Sequence, residues 1–107
     1  MATITRGTTP QLTATIKDAD LQGMDVYLTV GRKDAQPWAT VGPEGVTVEY
    51  DGTDTTVTAT LTQEQTLACP VGGGFVQVRA YKDGQAIATG MVPVEVAPVI
   101  YNEVLHA

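Results

Sequence analysis

Nucleophilic catalysis has few candidate residues in this chain. There is no serine, the sole histidine is His106 beside the C-terminus, and the single cysteine, Cys69, has no base near it in the sequence. A catalytic nucleophile needs a base that a third group orients, and a thiol needs a neighbouring cation or a helix N-terminus to ionise readily. We therefore expect no enzyme activity, and we interpret Cys69 as a small, half-buried residue.

The segment that most resembles a metal-binding motif lies at residues 18–23. Its sequence, Asp-Ala-Asp-Leu-Gln-Gly, copies the opening of a calcium-binding loop, including the glycine at the sixth position. The twelfth position, where such a loop needs a bidentate glutamate, is Thr29, and the flanking residues alternate like strands. A polar turn between two strands explains the segment better. Asp51 and Asp54 form a second acidic tip, and we expect no resident metal or cofactor at either place.

The composition also argues against several kinds of partner. The net charge is −6, and the six Lys and Arg residues are spread from Arg6 to Lys82, whereas phosphate backbones are bound by clustered basic side chains. No apolar run approaches the roughly 20 residues of a membrane span, and the N-terminus lacks a basic segment followed by an apolar one. We expect a protein made in the cytoplasm that binds neither nucleic acid nor membrane.

Two segments on either side of residues 51–54 predict their own antiparallel pairing. Aligning residues 46–50 with 55–59 places Val48 opposite Val57 and Val46 opposite Ala59 on one face. The other face then carries the polar pairs Thr47 with Thr58 and Glu49 with Thr56. One apolar face and one polar face are what a half-buried antiparallel pair requires, and a shift of one residue would destroy the match.

Further alternating segments recur at the spacing of a β-sandwich, at residues 11–17, 25–30, 37–41, 75–82 and after 85. Thr62 followed by Gln65 is a capping-box pattern, which predicts one helical turn near 62–67. The predicted fold is all-β: an immunoglobulin-like antiparallel β-sandwich of about seven strands, with residues 1–97 as a single domain and residues 98–107 as a C-terminal tail.

The final strands are predicted from a hairpin signal and a change of parity. Asp83-Gly84 predicts a tight turn. Folding about it would oppose Ala80 to Ile87, Val78 to Thr89 and Val76 to Met91. Ile87 and Met91 are odd-numbered inward positions, whereas the inward positions that follow are the even-numbered Val92, Val94 and Val96. This change indicates either a bulge near Gly90-Met91 or a switch between sheets.

Exposed aromatic side chains on a sandwich can stack on sugar rings, and Tyr27, Trp38 and Tyr81 are the candidates here. Only 6% of the residues are aromatic, and no two of them stand at i and i+2 on one predicted face. Scattered surface aromatics more often cover edges or contact partners. A carbohydrate-binding module for attachment to a cell surface is therefore the alternative function, after a structural role.

The tail, residues 98–107, is the most suggestive surface feature. Ile100 with Val104 and Tyr101 with Leu105 stand four residues apart, so a short helix would present an apolar stripe. One interpretation is a last strand that packs on its own domain; the other is a segment that docks on a neighbouring subunit. Under the second interpretation the contact residues are Ile100, Tyr101, Val104 and Leu105, followed by the N-terminal segment with Ile4 and Thr5.

Three segments occur in an order that suggests a family: Ile4-Thr5-Arg6-Gly7-Thr8-Thr9-Pro10, then Leu61-Thr62-Gln63-Glu64-Gln65-Thr66-Leu67, then Val76-Gln77-Val78-Arg79 with Asp83-Gly84. Together they resemble the small β-sandwich structural proteins of phages and prophages of Gram-positive bacteria. The layout is also similar to the immunoglobulin-like N-terminal domain of baseplate upper proteins. The resemblance implies a non-enzymatic virion component, present in many copies or as a homo-oligomer, that contacts other virion proteins in the head, neck, tail or baseplate.

Overall fold

The computed structural model describes residues 2–33, 35–89, 91–101 and 103–105, and these residues form nine strands and one α-helix. The strands are β1 (Ala2–Thr5), β2 (Gln11–Ile16), β3 (Asp25–Gly31), β4 (Ala39–Val41), β5 (Val46–Tyr50), β6 (Thr55–Thr60), β7 (Gly72–Lys82), β8 (Gln85–Ala88) and β9 (Val92–Ala97). A 3-10 turn spans Pro43–Gly45, and the helix α1 spans Gln63–Leu67. The prediction of about seven strands was too low, because β1 was not foreseen and the last strand is divided.

Two sheets pack face to face, which makes the molecule an all-β sandwich. The large sheet has the order β1-β9-β7-β3-β4, with β8 also paired to β7, and the small sheet has the order β2-β6-β5. Alternate residues of the strands point between the sheets. The core draws on both of them: Leu12, Val57 and Ala59 from the small sheet, and Val26, Leu28, Val30, Val78 and Val94 from the large one.

The pairing predicted around residues 51–54 is confirmed residue by residue. Val48 pairs with Val57 and Val46 with Ala59, and the polar pairs lie on the opposite face as expected. Val57 is fully buried and Val48 is half-buried against the core, whereas Thr47 and Glu49 are exposed. The segregation of apolar and polar side chains therefore sets this register.

The hairpin at Asp83-Gly84 is also confirmed, and its continuation corrects one pairing. Positive φ angles of 51° at Asp83 and 83° at Gly84 are those of a two-residue type I′ turn, and Ala80 pairs with Ile87 as predicted. Further along, Val76 pairs with Val92 and not with Met91.

The physical reason for that correction is a one-residue shift between β8 and β9. Both strands pair with β7 in the same sheet, so the change of parity is a bulge and not a switch between sheets. At this point the Thr89 hydroxyl accepts a hydrogen bond from the backbone N–H of Val78 at 3.2 Å. Gly90, where the bulge was predicted, lies outside the described residues.

The predicted helical turn is α1, and its capping box is present. The Gln65 N–H donates to the Thr62 hydroxyl at 3.1 Å, and the Gln65 side chain accepts from the Thr62 N–H at 2.8 Å. These reciprocal bonds satisfy two donors that the start of a helix otherwise leaves open. The helices that the structure describes are all too short and too polar to cross a bilayer.

The first strand places Ile4 differently from the prediction. β1 runs parallel to β9, with Ile4 opposite Val96 and Thr5 opposite Ala97. Ile4 has no exposed surface, so it is a core residue and not a docking residue, and Thr5 is half-buried. Because successive side chains of a strand point to opposite faces, the pairing of β1 with β9 places Ile4 on the inner face and its polar neighbours on the other.

Candidate functional site

The C-terminal tail crosses one end of the sandwich, and we name this end the helix end because α1 lies there. From Ala97 the chain passes the loop after β1: a Cβ built on Gly7 would lie 3.7 Å from Val99 Cγ1 and 3.6 Å from Leu67 Cδ2. It then reaches α1, where the backbone of Leu105 contacts the Gln63 side chain. The tail therefore extends over the surface from the end of β9 to the start of α1.

The tail is neither the predicted helix nor a last strand. Over its described residues, 98–101 and 103–105, the backbone has no regular structure. Without a helical backbone, Ile100 and Val104 are not placed on one face, although they are four positions apart in the sequence. The apolar stripe expected from a helix is therefore not formed by these residues.

The side chains of the tail remain largely exposed. The exposed fraction is 100% for Ile100, 63% for Tyr101 and 64% for Leu105, and Val104 is half-buried. Monomeric proteins tolerate isolated exposed apolar side chains, but a cluster of them marks a contact surface. The structure thus brings Val104 onto the body and leaves the other three predicted contact residues accessible.

A pair of hydrogen bonds from Gln63 holds the end of the described tail, and we name it the Gln63 clamp. The Leu105 N–H donates to Gln63 Oε1 at 2.7 Å, and Gln63 Nε2 donates to the Leu105 carbonyl at 3.2 Å. The carboxamide of glutamine has the same donor and acceptor as a peptide group. Gln63 therefore binds Leu105 as a neighbouring strand would bind it.

Beside the clamp is a shallow hollow of about 330 Å³. Val104 lines it together with Thr9, Thr60, Leu61, Thr62, Gln63 and Glu64. Leu61 is fully buried at its base. Leu61 and Val104 are thus the apolar residues in a lining that is otherwise polar.

The loop after β1 is fixed to α1 by contacts between distant parts of the sequence. Arg6 donates from a guanidinium nitrogen to the Leu67 carbonyl at 2.7 Å, and the buried Thr66 hydroxyl donates to the Thr8 carbonyl at 2.8 Å. These bonds hold the C-terminal end of the helix and the loop together. These contacts fix the position of α1, and therefore of Gln63, although the helix has only five residues.

Cys69 lies just after α1 and is fully buried, which is a deeper position than the half-buried one expected. Its thiol donates to the Gln65 carbonyl at 3.4 Å. Burial raises the pKa of the Cys69 thiol, and the positive charge of Arg6 opposes that shift to a smaller extent. A buried thiol with a raised pKa is a poor nucleophile, so the position of Cys69 suits packing.

A second candidate surface lies on the outer face of the large sheet. Tyr27 on β3 pairs with Arg79 on β7, and Tyr81 is two residues further along β7. The two tyrosines are 40% and 48% exposed, and they line one hollow of about 430 Å³. Its remaining lining consists of Thr29, Pro37, Thr40, Arg79, Ala80 and Ala86.

Pairing across strands explains why sequence spacing missed this surface. Tyr27 and Tyr81 are diagonal neighbours on adjacent strands, where Cβ atoms lie about 7–8 Å apart, although 54 positions separate them in the sequence. Arg79 was not predicted either. The alternation of outward residues on β7 gave the signal, but its partner strand had to be known to place Arg79 between the tyrosines.

Trp38, the third predicted aromatic, does not join the tyrosines. It is half-buried and packs against the core, and the Arg32 guanidinium lies 5.2 Å from its ring centre. A Cβ built on Gly74 would come within 2.6 Å of the indole, so the ring lies directly on that glycine. Trp38 is therefore a packing residue at the helix end, because glycine leaves the space that its ring fills.

The outer face of the small sheet has a different chemistry. Its outward residues are mainly threonines that pair across the strands: Thr13 with Thr58, Thr15 with Thr56, and Thr47 with Thr58. β-branched residues suit such a pleated surface. This face offers hydroxyl groups, whereas the large sheet offers aromatic rings and a guanidinium.

The acidic turns meet at the end of the sandwich opposite α1, which we name the turn end. The Asp18 N–H donates to Asp54 Oδ1 at 3.0 Å, and Asp51 Oδ1 accepts from the N–H groups of Asp54 at 2.8 Å and Thr53 at 2.9 Å. Those two bonds, the one from Asp54 first, lower the pKa of Asp51. No group of three or more metal-ligating side chains occurs among the described residues.

Comparison with known proteins adds no assignment to this geometry. No protein-family model matches the chain, and a search of curated proteins finds no significant match to its sequence.

Proposed function

We propose that this chain is a non-enzymatic structural component of a phage or prophage particle that acts through protein–protein assembly. The observation that supports the proposal most directly is the tail, which presents Ile100, Tyr101 and Leu105 to solvent while its backbone is attached to the body. Burial of such side chains against a neighbour stabilises a complex by roughly 25 cal/mol per Å² of apolar surface. After its synthesis in the host cytoplasm, the chain would be located in the virion.

We also infer an immunoglobulin-like arrangement of the strands. The three-stranded sheet β2-β6-β5 opposes a sheet in which β3, β7 and β8–β9 are neighbours, and α1 connects β6 to β7. This order corresponds to the B-E-D and C-F-G groups of that fold. The likeness of the three segments in residues 4–10, 61–67 and 76–84 to small phage sandwich proteins supports the same conclusion, and the fold alone would not imply a function.

Particle fractionation tests the proposal. Particles released from cells that encode the chain are purified by density, and the chain is quantified by mass spectrometry against the major structural protein. We expect it to sediment with the particles, and a chain without residues 98–107 to stay in the unassembled fraction. A full-length Tyr27→Ala chain is the matched control and should be incorporated normally. Absence of the full-length chain from particles would contradict the proposal.

A second candidate function, carbohydrate binding, is favoured by the hollow between the two tyrosines. Its volume of about 430 Å³ lies within the usual range for ligand sites. Tyr27 and Tyr81 supply ring faces, and Arg79 and the threonine hydroxyls supply hydrogen-bonding groups. These are the elements that a sugar-binding surface combines, and the tail takes no part in them.

Glycan-array binding followed by titration tests this second function. We expect Tyr27→Ala and Tyr81→Ala each to weaken binding about tenfold or more, because each removes a stacking face. Tyr101→Ala, which changes an exposed tyrosine of the tail, is the matched control and should bind normally. Trp38→Ala is unsuitable because Trp38 packs on Gly74 and the core. Unchanged binding by the Tyr27 and Tyr81 variants would exclude the hollow.

A further inference from the structure

The Gln63 clamp recognises main-chain atoms and not a particular side chain. Its two bonds go to the N–H and the carbonyl of Leu105, whose side chain is 64% exposed. A carboxamide that pairs with both groups of one residue will bind any extended segment that reaches it in the same orientation. The clamp therefore does not require that the segment and the helix belong to the same molecule.

The closed position of the tail rests on few contacts. Within the described part of the chain, the hydrogen bonds between the tail and the body are the two of the clamp. Ile100 and Tyr101, which lie between Ala97 and the clamp, gain little burial from this path. Among the described residues, opening the tail thus breaks these two bonds and uncovers the half-buried Val99 and Val104, which is a small cost compared with unfolding of the sandwich.

An open tail is long enough to reach another molecule. Residues 98–105 span up to about 26–29 Å when extended, and the shortest dimension of the whole molecule is 24 Å. Pro98 stands at the root of the tail, directly after β9, and its ring fixes the φ angle there. A neighbouring copy placed alongside is therefore within range.

We propose that the Gln63 clamp binds the tail of a second copy of this chain, so that two copies exchange residues 103–105. This inference rests on the proposed assembly function and names its partner. The occupant follows from the structure, because the segment that the clamp holds is the chain's own tail, and an exchange reproduces each contact with the same groups. The junction between the copies then covers Ile100 and Tyr101, which the closed form leaves exposed.

A complementation experiment tests the exchange. One variant, Gln63→Ala, keeps the tail and loses the clamp; the other lacks residues 98–107 and keeps the clamp. The full-length chain should form a dimer whose Kd depends on both parts, and each variant alone should bind itself about tenfold or more weakly because the clamp contacts are missing. An equimolar mixture of the two variants should form a heterodimer with one occupied clamp, because one chain supplies the tail and the other the clamp. Its affinity should lie between that of either variant alone and that of the full-length chain.

Sedimentation velocity with one fluorescently labelled variant measures that heterodimer, and circular dichroism confirms that each variant is folded. Gln85→Ala, which changes an exposed glutamine of β8, is the matched control and should dimerise like the full-length chain. If the full-length chain dimerises but the mixture stays monomeric, the exchange is wrong. A full-length chain that stays monomeric also overturns it, whereas the broader virion role fails only if the chain is missing from particles.

Discussion

The two ends of the sandwich are each held by one buried threonine, but the two threonines act differently. At the turn end, Thr55 accepts from the Leu21 N–H at 3.1 Å and donates to the Ala19 carbonyl at 2.6 Å. At the helix end, Thr66 donates to the Thr8 carbonyl at 2.8 Å and lies 3.2 Å from the Gln63 carbonyl. Both threonines have no exposed surface.

The difference lies in what each threonine holds in place. Thr55 fixes both sides of a loop whose Leu21 is 2% exposed and fills the core, so the loop closes that end of the sandwich. Thr66 fixes an exposed residue, Thr8, whose carbonyl can be solvated when the bond is lost. We therefore expect the turn end to unfold only together with the core, and the helix end to open locally at a lower cost.

The largest effect is expected at the turn end. Thr55→Val keeps the shape of the side chain but leaves the Leu21 N–H and the Ala19 carbonyl without their partner. One buried N–H and one half-buried carbonyl without partners should lower the free energy of unfolding by about 2–3 kcal/mol. Urea denaturation monitored by circular dichroism measures this change. Thr47→Val, at an exposed position of β5, is the control, and equal stability of the two variants would contradict the role of Thr55.

A smaller effect is expected from the same substitution at the helix end. Thr66→Val removes the bond to Thr8, and water can replace it at the surface. The free energy of unfolding should therefore fall by about 1 kcal/mol. The same urea titration gives the value, and a loss as large as that of Thr55→Val would show that the two ends are equally coupled to the core.

Thiol labelling sharpens the comparison because Cys69 reports on the helix end. Its burial and its raised pKa predict slow reaction with a thiol reagent in the folded chain. Thr66→Val should accelerate labelling about fivefold, since the cost of local opening falls by about 1 kcal/mol. Thr55→Val should leave the rate nearly unchanged under folding conditions. Faster labelling of Cys69 in Thr55→Val, with no change in Thr66→Val, would contradict this prediction, because it would show that Cys69 becomes accessible when the turn end opens.

The smallest effect is the acid dependence of the turn end. The N–H groups of Asp54 and Thr53 lower the pKa of Asp51, so these bonds contribute stability above its ordinary value of 3.8 and lose it as the pH falls through the folded pKa. Asp51→Asn removes the charge, and its urea midpoint should therefore fall less than that of the parent chain below about pH 4. Parallel midpoint curves for the two chains would contradict this assignment.

Features set by neighbouring residues were predictable from the sequence. Alternation of Val46 and Val48 with polar residues set the register of β5 and β6, and the Asp83-Gly84 pair set the next hairpin. The Thr62–Gln65 capping box likewise predicted α1. Each of these signals lies within a few residues, where backbone preferences and burial act together.

Features that join distant segments left no such signal. Nothing in residues 2–5 indicates a strand parallel to β9, and nothing near Gln63 indicates a bond to Leu105, 42 positions away. The tyrosine hollow depends on the pairing of β3 with β7 in the same way. For the tail, either a strand packed on its own domain or a docking segment was predicted, but the described residues have no regular structure and are held by the clamp.

Sedimentation equilibrium of the full-length chain and of the chain without residues 98–107 tests the central claim, that the tail serves assembly and not the core. The two are measured at the same concentrations, with circular dichroism as the check on folding. We predict that the full-length chain associates as its concentration rises and that the shortened chain stays a folded monomer. An unfolded shortened chain, or equal association of both, would contradict the claim.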